Sequence, residues 1–146
     1  MRFVRSITVH RPLPEVWAAL TDPGFMPRWQ PSLQTVEPLA GTPGQVGAVT
    51  RLVYHEAGRE VVLTETVTVS EAPRELATRY KSSMVDSTLI NRLTPLPEGG
   101  VRWDVACEFQ FHGMLRFLGS GLRGATERRI EGDMARFKEL LEGSTG

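Results

Sequence analysis

Hydrophobic and polar side chains alternate along much of this chain. In the segment 101–111 every odd-numbered position is hydrophobic, whereas the even-numbered positions are mostly polar. The segment 61–69 repeats this pattern, with Glu65 as the one charged residue on its apolar side. Alternation with a period of two is typical of a strand with one buried face. Together with turn signals rich in Gly and Pro, it predicts seven strands, at 2–10, 33–39, 47–56, 59–71, 75–82, 85–94 and 101–111.

Three helices are predicted outside these strands. Two are short and follow the first strand, at 14–20 and 23–29, each with a proline in its first turn. In the last helix Ser120 is the expected N-cap and Gly143 marks the end, and a mainly hydrophobic stripe recurs every three or four positions, as on one face of an amphipathic helix. This stripe consists of Leu122, Thr126, Ile130, Met134, Phe137 and Leu141.

The order of these elements predicts an α+β fold. Closely spaced strands without intervening helices form antiparallel hairpins, and seven of them form a sheet too large to stay flat. We therefore expect a curved seven-stranded antiparallel sheet around the long C-terminal helix, with an apolar pocket between them. A chain of 146 residues suits one domain, which we place at 1–142, with a frayed tail at 143–146.

Composition narrows the classes of function. The 17 basic and 17 acidic residues balance, so the chain lacks the basic excess that drives nucleic-acid binding. Cys107 is the only cysteine, which excludes an internal disulfide and fits a reducing compartment. The first residues lack the apolar core of a signal peptide, and no apolar run approaches the length of a membrane span. We expect a cytoplasmic protein without stable membrane insertion; the sequence leaves a homodimer open.

Cofactor and metal sites are not predicted. The run Gly119-Ser120-Gly121-Leu122-Arg123-Gly124 matches the glycine pattern of dinucleotide-binding turns, but that site needs a parallel strand–helix–strand unit, and here the chain ends with the helix. The three histidines are scattered and Cys107 has no cysteine partner, so no set of metal ligands has suitable spacing. Cys107 lies on the apolar side of its strand, which favours a buried structural thiol.

The element order resembles the helix-grip fold of the SRPBCC superfamily, which includes START, polyketide-cyclase and pollen-allergen domains. The resemblance covers nearly the whole chain. It implies an internal cavity, but it does not specify an activity, because such domains include lipid carriers, receptors, cyclases and chaperone activators. The segments that carry it are Ile7 to Pro12, Pro14 to Trp17, Leu20 to Pro23, Arg28-Trp29, Gly44 to Gly47, Glu71 to Leu76, Leu93 to Pro95 and Gly99-Gly100.

Several polar residues share a strand face with buried hydrophobic ones. If side chains alternate along each strand, Glu65 lies on the same face as Leu63 and Val67, and Arg51 lies on the same face as the valines two positions before and after it. Tyr80 and Asn91 are placed in the same way. One interpretation is structural, with Arg51 and Glu65 paired across neighbouring strands or located at the rim. The other has these groups converge in the pocket, where they would orient the polar end of a ligand.

The sequence is compatible with three functions. The leading hypothesis is binding or transport of a small hydrophobic molecule, lipid-like or resembling an aromatic polyketide. The second is an enzyme similar to the polyketide aromatase/cyclases, with Glu65 as the base and Tyr80 or Arg51 stabilising negative charge. The third is a partner-binding domain like the chaperone activators. The residues predicted to contact a ligand are Trp17, Phe25, Trp29, Glu65, Tyr80, Asn91, Trp103, Phe109, Met134 and Phe137.

Overall fold

Seven antiparallel strands form one sheet, in the order β1-β7-β6-β5-β4-β3-β2. This computed structural model describes residues 2–56, 58–113 and 119–143. Of the tail predicted at 143–146, Gly143 is the last residue of the C-terminal helix, and 144–146 lie outside the described residues. The strands are β1 Arg2–Val9, β2 Leu33–Ala40, β3 Val49–Glu56, β4 Arg59–Glu71, β5 Glu75–Lys81, β6 Val85–Pro95 and β7 Val101–Phe111. The helices are α1 Leu13–Leu20, α2 Met26–Trp29 and α3 Gly119–Gly143.

The curved sheet grips α3, as the sequence predicts. The hydrophobic stripe of this helix is buried at Ile130, Met134, Phe137 and Leu141. Phe137 is fully buried, and its ring centroid lies 4.7 Å from that of Trp103 on β7 and 5.3 Å from that of Trp29 on α2. Each fully buried side chain of this size contributes about 1.5–3 kcal/mol to folding. This aromatic cluster therefore joins α2 and α3 to the sheet.

Helix boundaries differ from the prediction at two points. The second short helix covers only Met26–Trp29, because the chain turns before it: Oδ1 of Asp22 accepts the N–H of Gly24 at 2.9 Å. A side chain that bonds the backbone two residues ahead closes a turn rather than starting a helix. The last helix begins at Gly119, so Ser120 lies within it and not at its N-cap.

The loop between β2 and β3 packs against the end of α1 through Gly44. This residue has φ +80°, a conformation that side-chain-bearing residues rarely adopt. A Cβ atom at this position would lie 3.0 Å from the Cβ of Thr21. Glycine thus allows the loop to approach α1 closely, and the two segments form one lip of the cavity described below.

Ion pairs and hydrogen bonds on the outer surface hold α3 against β1. Arg5 pairs with Glu127 at 3.1 Å and also with Glu131, and the ammonium group of Lys138 donates to the carbonyl of Thr8 at 2.7 Å. Such exposed pairs contribute at most about 1 kcal/mol each. Among the described helices, none is both long and apolar enough to span a bilayer.

Candidate ligand cavity

A cavity of about 120 Å³ lies between the sheet and α3 and is partly open to solvent. Its volume is roughly ten times the space that one water molecule needs. Side chains therefore do not fill the interior of this fold. The hydrophobic residues that line the cavity are Leu20, Pro23, Met26, Trp29, Pro43, Ala48, Leu63, Val67, Leu76, Leu89, Trp103, Val105, Ile130 and Met134.

A row of polar side chains crosses the sheet within this cavity. Thr50 on β3 lies opposite Glu65 on β4, Glu65 lies opposite Tyr80 on β5, and Tyr80 lies opposite Ser87 on β6. Residues directly opposite one another on antiparallel strands point to the same side of a sheet. All four line the cavity. The row therefore brings a carboxyl group, a phenol and two hydroxyls to one wall.

Glu65 and Tyr80 form a hydrogen-bonded pair in this row. Burial raises the pKa of Glu65 above its usual value, since desolvation disfavours the carboxylate, and the hydrogen bond with Tyr80 lowers that pKa in part. Burial, followed by the charge of Glu65, raises the pKa of Tyr80 well above the usual value for a phenol. Tyr80 therefore stays protonated at neutral pH, and its hydroxyl donates a hydrogen bond to Glu65. Both side chains are half-buried and border the cavity.

Asn91 holds the wall of the cavity in place. Its Nδ2 donates to the carbonyl of Leu76 on β5 at 3.2 Å, and its Oδ1 accepts the indole N–H of Trp103 on β7 at 3.0 Å. Both the donor and the acceptor of the carboxamide are thus engaged within the protein. Asn91 therefore fixes the orientation of the Trp103 ring at the cavity surface.

A second polar group lies where β3 faces α3. The hydroxyl of Tyr54 donates to Oε1 of Gln30 at 2.7 Å, and the guanidinium carbon of Arg129 lies 5.5 Å from the centroid of the Tyr54 ring. Nε of Arg129 pairs with Glu56 at 3.4 Å. Burial raises the pKa of Tyr54, although the positive charge of Arg129 opposes this shift. Tyr54, Gln30 and Arg129 all line the cavity.

Asp133 completes this second group. Its side chain is buried beside the cavity and pairs with Arg136 at 3.1 Å. Burial raises the pKa of Asp133, and the hydrogen bond from Arg136 partly offsets that effect. Sequence reasoning missed this residue, although it lies three positions after Ile130 and next to Met134 in the apolar stripe of α3. That spacing was a usable signal.

One buried donor at the cavity lacks a partner. Nε1 of Trp29 has no hydrogen-bond acceptor in the part of the chain that is described. A buried N–H without a partner costs about 1–3 kcal/mol. Trp29 lines the cavity, but Nε1 itself is shielded from the open space. Across the described ranges, no three His, Cys, Asp or Glu side chains are grouped to hold a metal ion.

The structure separates the predicted ligand-contacting residues into two sets. Six line the cavity: Trp29, Glu65, Tyr80, Asn91, Trp103 and Met134. The other four pack in the main hydrophobic core instead and do not border the cavity: Trp17, Phe25, Phe109 and Phe137. Alternation along a strand or helix shows which side chains turn inward, but it does not show which of them face unfilled space.

The prediction that Arg51 faces the pocket was wrong. Arg51 lies on the opposite face of β3, where it pairs with Glu37 on β2 at 3.8 Å. Its neighbour Thr50 is the residue that turns inward opposite Glu65. The proposed pair between Arg51 and Glu65 therefore does not form, and Arg51 has no place in the chemistry of the cavity.

A curved antiparallel sheet, a gripped C-terminal helix and an internal cavity define a helix-grip domain. The chain belongs to the polyketide cyclase/dehydrase and lipid transport family, whose model matches residues 1–142. It is thus a hydrophobic-ligand-binding domain of that family. No functionally curated protein is similar enough to match the chain.

Solved structures share the fold over the full length. The Zhui aromatase/cyclase from Streptomyces sp. R1128 has 19% identity and a TM-score of 0.87, with 100% of this chain and 96% of that chain covered. A conserved protein from Geobacillus kaustophilus has 15% identity and a TM-score of 0.81, covering 99% and 97%. Ara h 8.0201 has 15% identity and a TM-score of 0.79, covering 98% of each chain. At these identities the similarity establishes the fold alone.

Proposed function

We propose that this domain binds a small, largely apolar molecule, lipid-like or resembling an aromatic polyketide, with its polar end at Glu65 and Tyr80. The observation that carries this proposal is an unfilled cavity with apolar walls and one hydrogen-bonding pair. Each 100 Å² of apolar ligand surface removed from water contributes about 2.5 kcal/mol to binding. The polar pair would then set the orientation of the ligand.

The cavity supports ligand binding over the partner-binding hypothesis. A domain that acts only through its outer surface gains nothing from an internal void, since unfilled space costs packing energy. Met26 and Met134 also line the cavity, and flexible thioether side chains adapt to ligands of different shapes. These features suit a carrier or sensor with some breadth of ligands.

A variant whose cavity is blocked tests this proposal. The ligand is (2-naphthyl)methanol, and its binding is measured by calorimetric titration. If each non-hydrogen atom contributes about −0.5 kcal/mol to the free energy of binding, the wild type should bind it with Kd on the order of 10⁻⁵–10⁻⁴ M. Ser87→Phe places an aromatic ring inside the cavity and should abolish this binding. Thr88→Phe is the matched control, because Thr88 is the next residue on β6 and points to the other face. Equal binding by both variants would contradict an internal site.

A second function is favoured by the chemistry of Glu65. A carboxyl group with a raised pKa, in contact with a phenol and sheltered from bulk water, has the properties of a general acid–base. In an enzyme of this kind Glu65 would move a proton on a substrate folded in the cavity. Tyr80 would donate a hydrogen bond to developing negative charge.

Proton exchange on a model substrate tests this second function. Benzoylacetone carries acidic protons between two carbonyl groups, and their exchange into D₂O can be followed by proton NMR. Glu65→Gln should slow the exchange that the protein catalyses by about 10²–10⁴-fold. Glu60→Gln, the same change on the same strand at an exposed position, should leave the rate unchanged. Undiminished exchange by Glu65→Gln would remove Glu65 from any such mechanism.

A further inference from the structure

The acidic and basic groups of the cavity do not all have a partner of opposite charge. Three acidic or basic side chains line it: Glu65, Arg129 and Asp133. Arg129 pairs with Glu56, and Asp133 pairs with Arg136. Glu65 forms no ion pair with any residue that the structure describes. Its contact within the protein is the neutral phenol of Tyr80.

The neighbours of Glu65 on the sheet are also uncharged. Thr50 and Tyr80 flank it on the adjacent strands, and Leu63 and Val67 precede and follow it on the same face of β4. A carboxylate in such surroundings lacks the cation that buried acidic groups normally require. The fold itself has already desolvated this group. An incoming cation would therefore gain a strong partner at the cost of its own desolvation only.

Aromatic rings surround the same space. The side chains of Trp29, Tyr54, Tyr80 and Trp103 all line the cavity. The face of an aromatic ring attracts cations, most strongly when water is excluded, and tryptophan is the best of these partners. An uncompensated carboxyl group bordered by aromatic rings is a combination suited to a positively charged ligand group.

We infer that the ligand carries a protonated amine on a small aromatic or alicyclic body, and that this amine pairs with Glu65. The inference rests on the proposed ligand-binding function and specifies its ligand class. One carboxylate oxygen of Glu65 accepts the hydroxyl of Tyr80, and the other accepts an N–H of the ammonium group. The aromatic walls enclose the apolar body, and a ligand with a carboxylate at this position is repelled.

Two probes of matched shape test the inference: (2-naphthyl)methylamine and (2-naphthyl)methanol, titrated calorimetrically into the protein at mildly alkaline pH, where the amine is still protonated. Both probes can donate a hydrogen bond to Glu65, but the ammonium group adds the attraction of opposite charges, so the amine should bind about tenfold more tightly than the alcohol. Glu65→Gln should remove this preference. Glu60→Gln, which alters an exposed residue of the same strand, should retain it.

The outcomes distinguish this inference from the function on which it rests. If neither probe binds the wild type, the proposed binding function fails. If the alcohol binds as tightly as the amine, the binding function stands and the inference of an amine is overturned. The wild-type comparison decides this even if Glu65→Gln does not fold. Persistence of the amine preference in a folded Glu65→Gln variant would also overturn the role of Glu65.

Discussion

Asn91 connects β5 and β7 across the cavity wall, and its replacement by leucine isolates the contribution of its carboxamide. Leucine has nearly the same size and shape, so Asn91→Leu changes polarity more than volume. Two hydrogen bonds are lost, one to the carbonyl of Leu76 and one from the indole of Trp103. Asn91, Trp103 and Leu76 are all buried.

The expected loss of stability follows from the hydrogen-bonding groups that Asn91→Leu leaves without a partner. A buried indole N–H without an acceptor costs about 1–3 kcal/mol, and loss of the second bond costs about 1 kcal/mol. Burial of the apolar leucine offsets about 1 kcal/mol. We expect Asn91→Leu to lower the free energy of unfolding by about 1–3 kcal/mol. For a domain of this size, each kcal/mol corresponds to about 2–4 °C in Tm.

Urea denaturation of four proteins forms the assay: the wild type, Asn91→Leu, Trp103→Phe and the double variant. Trp103→Phe removes the indole N–H, so Asn91→Leu should cost about 1–2 kcal/mol less in that background. Thr94→Val, at an exposed position of the same strand, should change stability by less than about 0.5 kcal/mol. A cost for Asn91→Leu that is the same in both backgrounds would refute the proposed coupling between the carboxamide and the indole.

Two further predictions concern titratable groups. Because the folded pKa of Glu65 is raised above its ordinary value of 4.5, its stabilising contribution is fully present below that value and is lost as pH rises through the folded pKa. As pH rises over that interval, Glu65→Gln should therefore become more stable relative to the wild type, by about 1.4 kcal/mol for each pH unit between the unfolded and the folded pKa. Urea denaturation at a series of pH values measures this difference, and Glu60→Gln provides the correction for loss of an exposed carboxylate. A stability difference that does not change with pH would contradict the burial of Glu65. Burial also raises the pKa of Cys107 to about 11, so a chromogenic disulfide reagent should label this thiol at pH ~8 only at the rate of protein opening. Rapid labelling of the folded protein would contradict its burial.

The sequence predicts strands best where only one face is hydrophobic. On β7 the odd-numbered positions alone are apolar, and Cys107 is buried as expected. On β3 both faces carry hydrophobic residues, with Leu52 and Tyr54 inside and Val53 buried on the other face. On such a strand the alternation does not show which face is the inner one, and this is why Arg51 was assigned to the wrong face.

The site was less predictable than the fold because its polar contacts join distant segments. Tyr54 and Gln30 are 24 residues apart, and their hydrogen bond leaves no local pattern. The register shift between Val67 and Val69 on β4 likewise changes the facing of the following residues without a clear signal. Glu65 precedes this shift, so simple alternation still places it on the same face as Leu63 and Val67, and all three line the cavity.

A small molecule that occupies the space between the sheet and α3 should be detectable by nuclear Overhauser contacts from bound (2-naphthyl)methanol to assigned protein protons. We expect contacts with the methyl group of Met134 and the indole rings of Trp29 and Trp103. Contacts confined to Val53 and Val62 on the opposite face of the sheet, or binding without any contact to Met134, would contradict it.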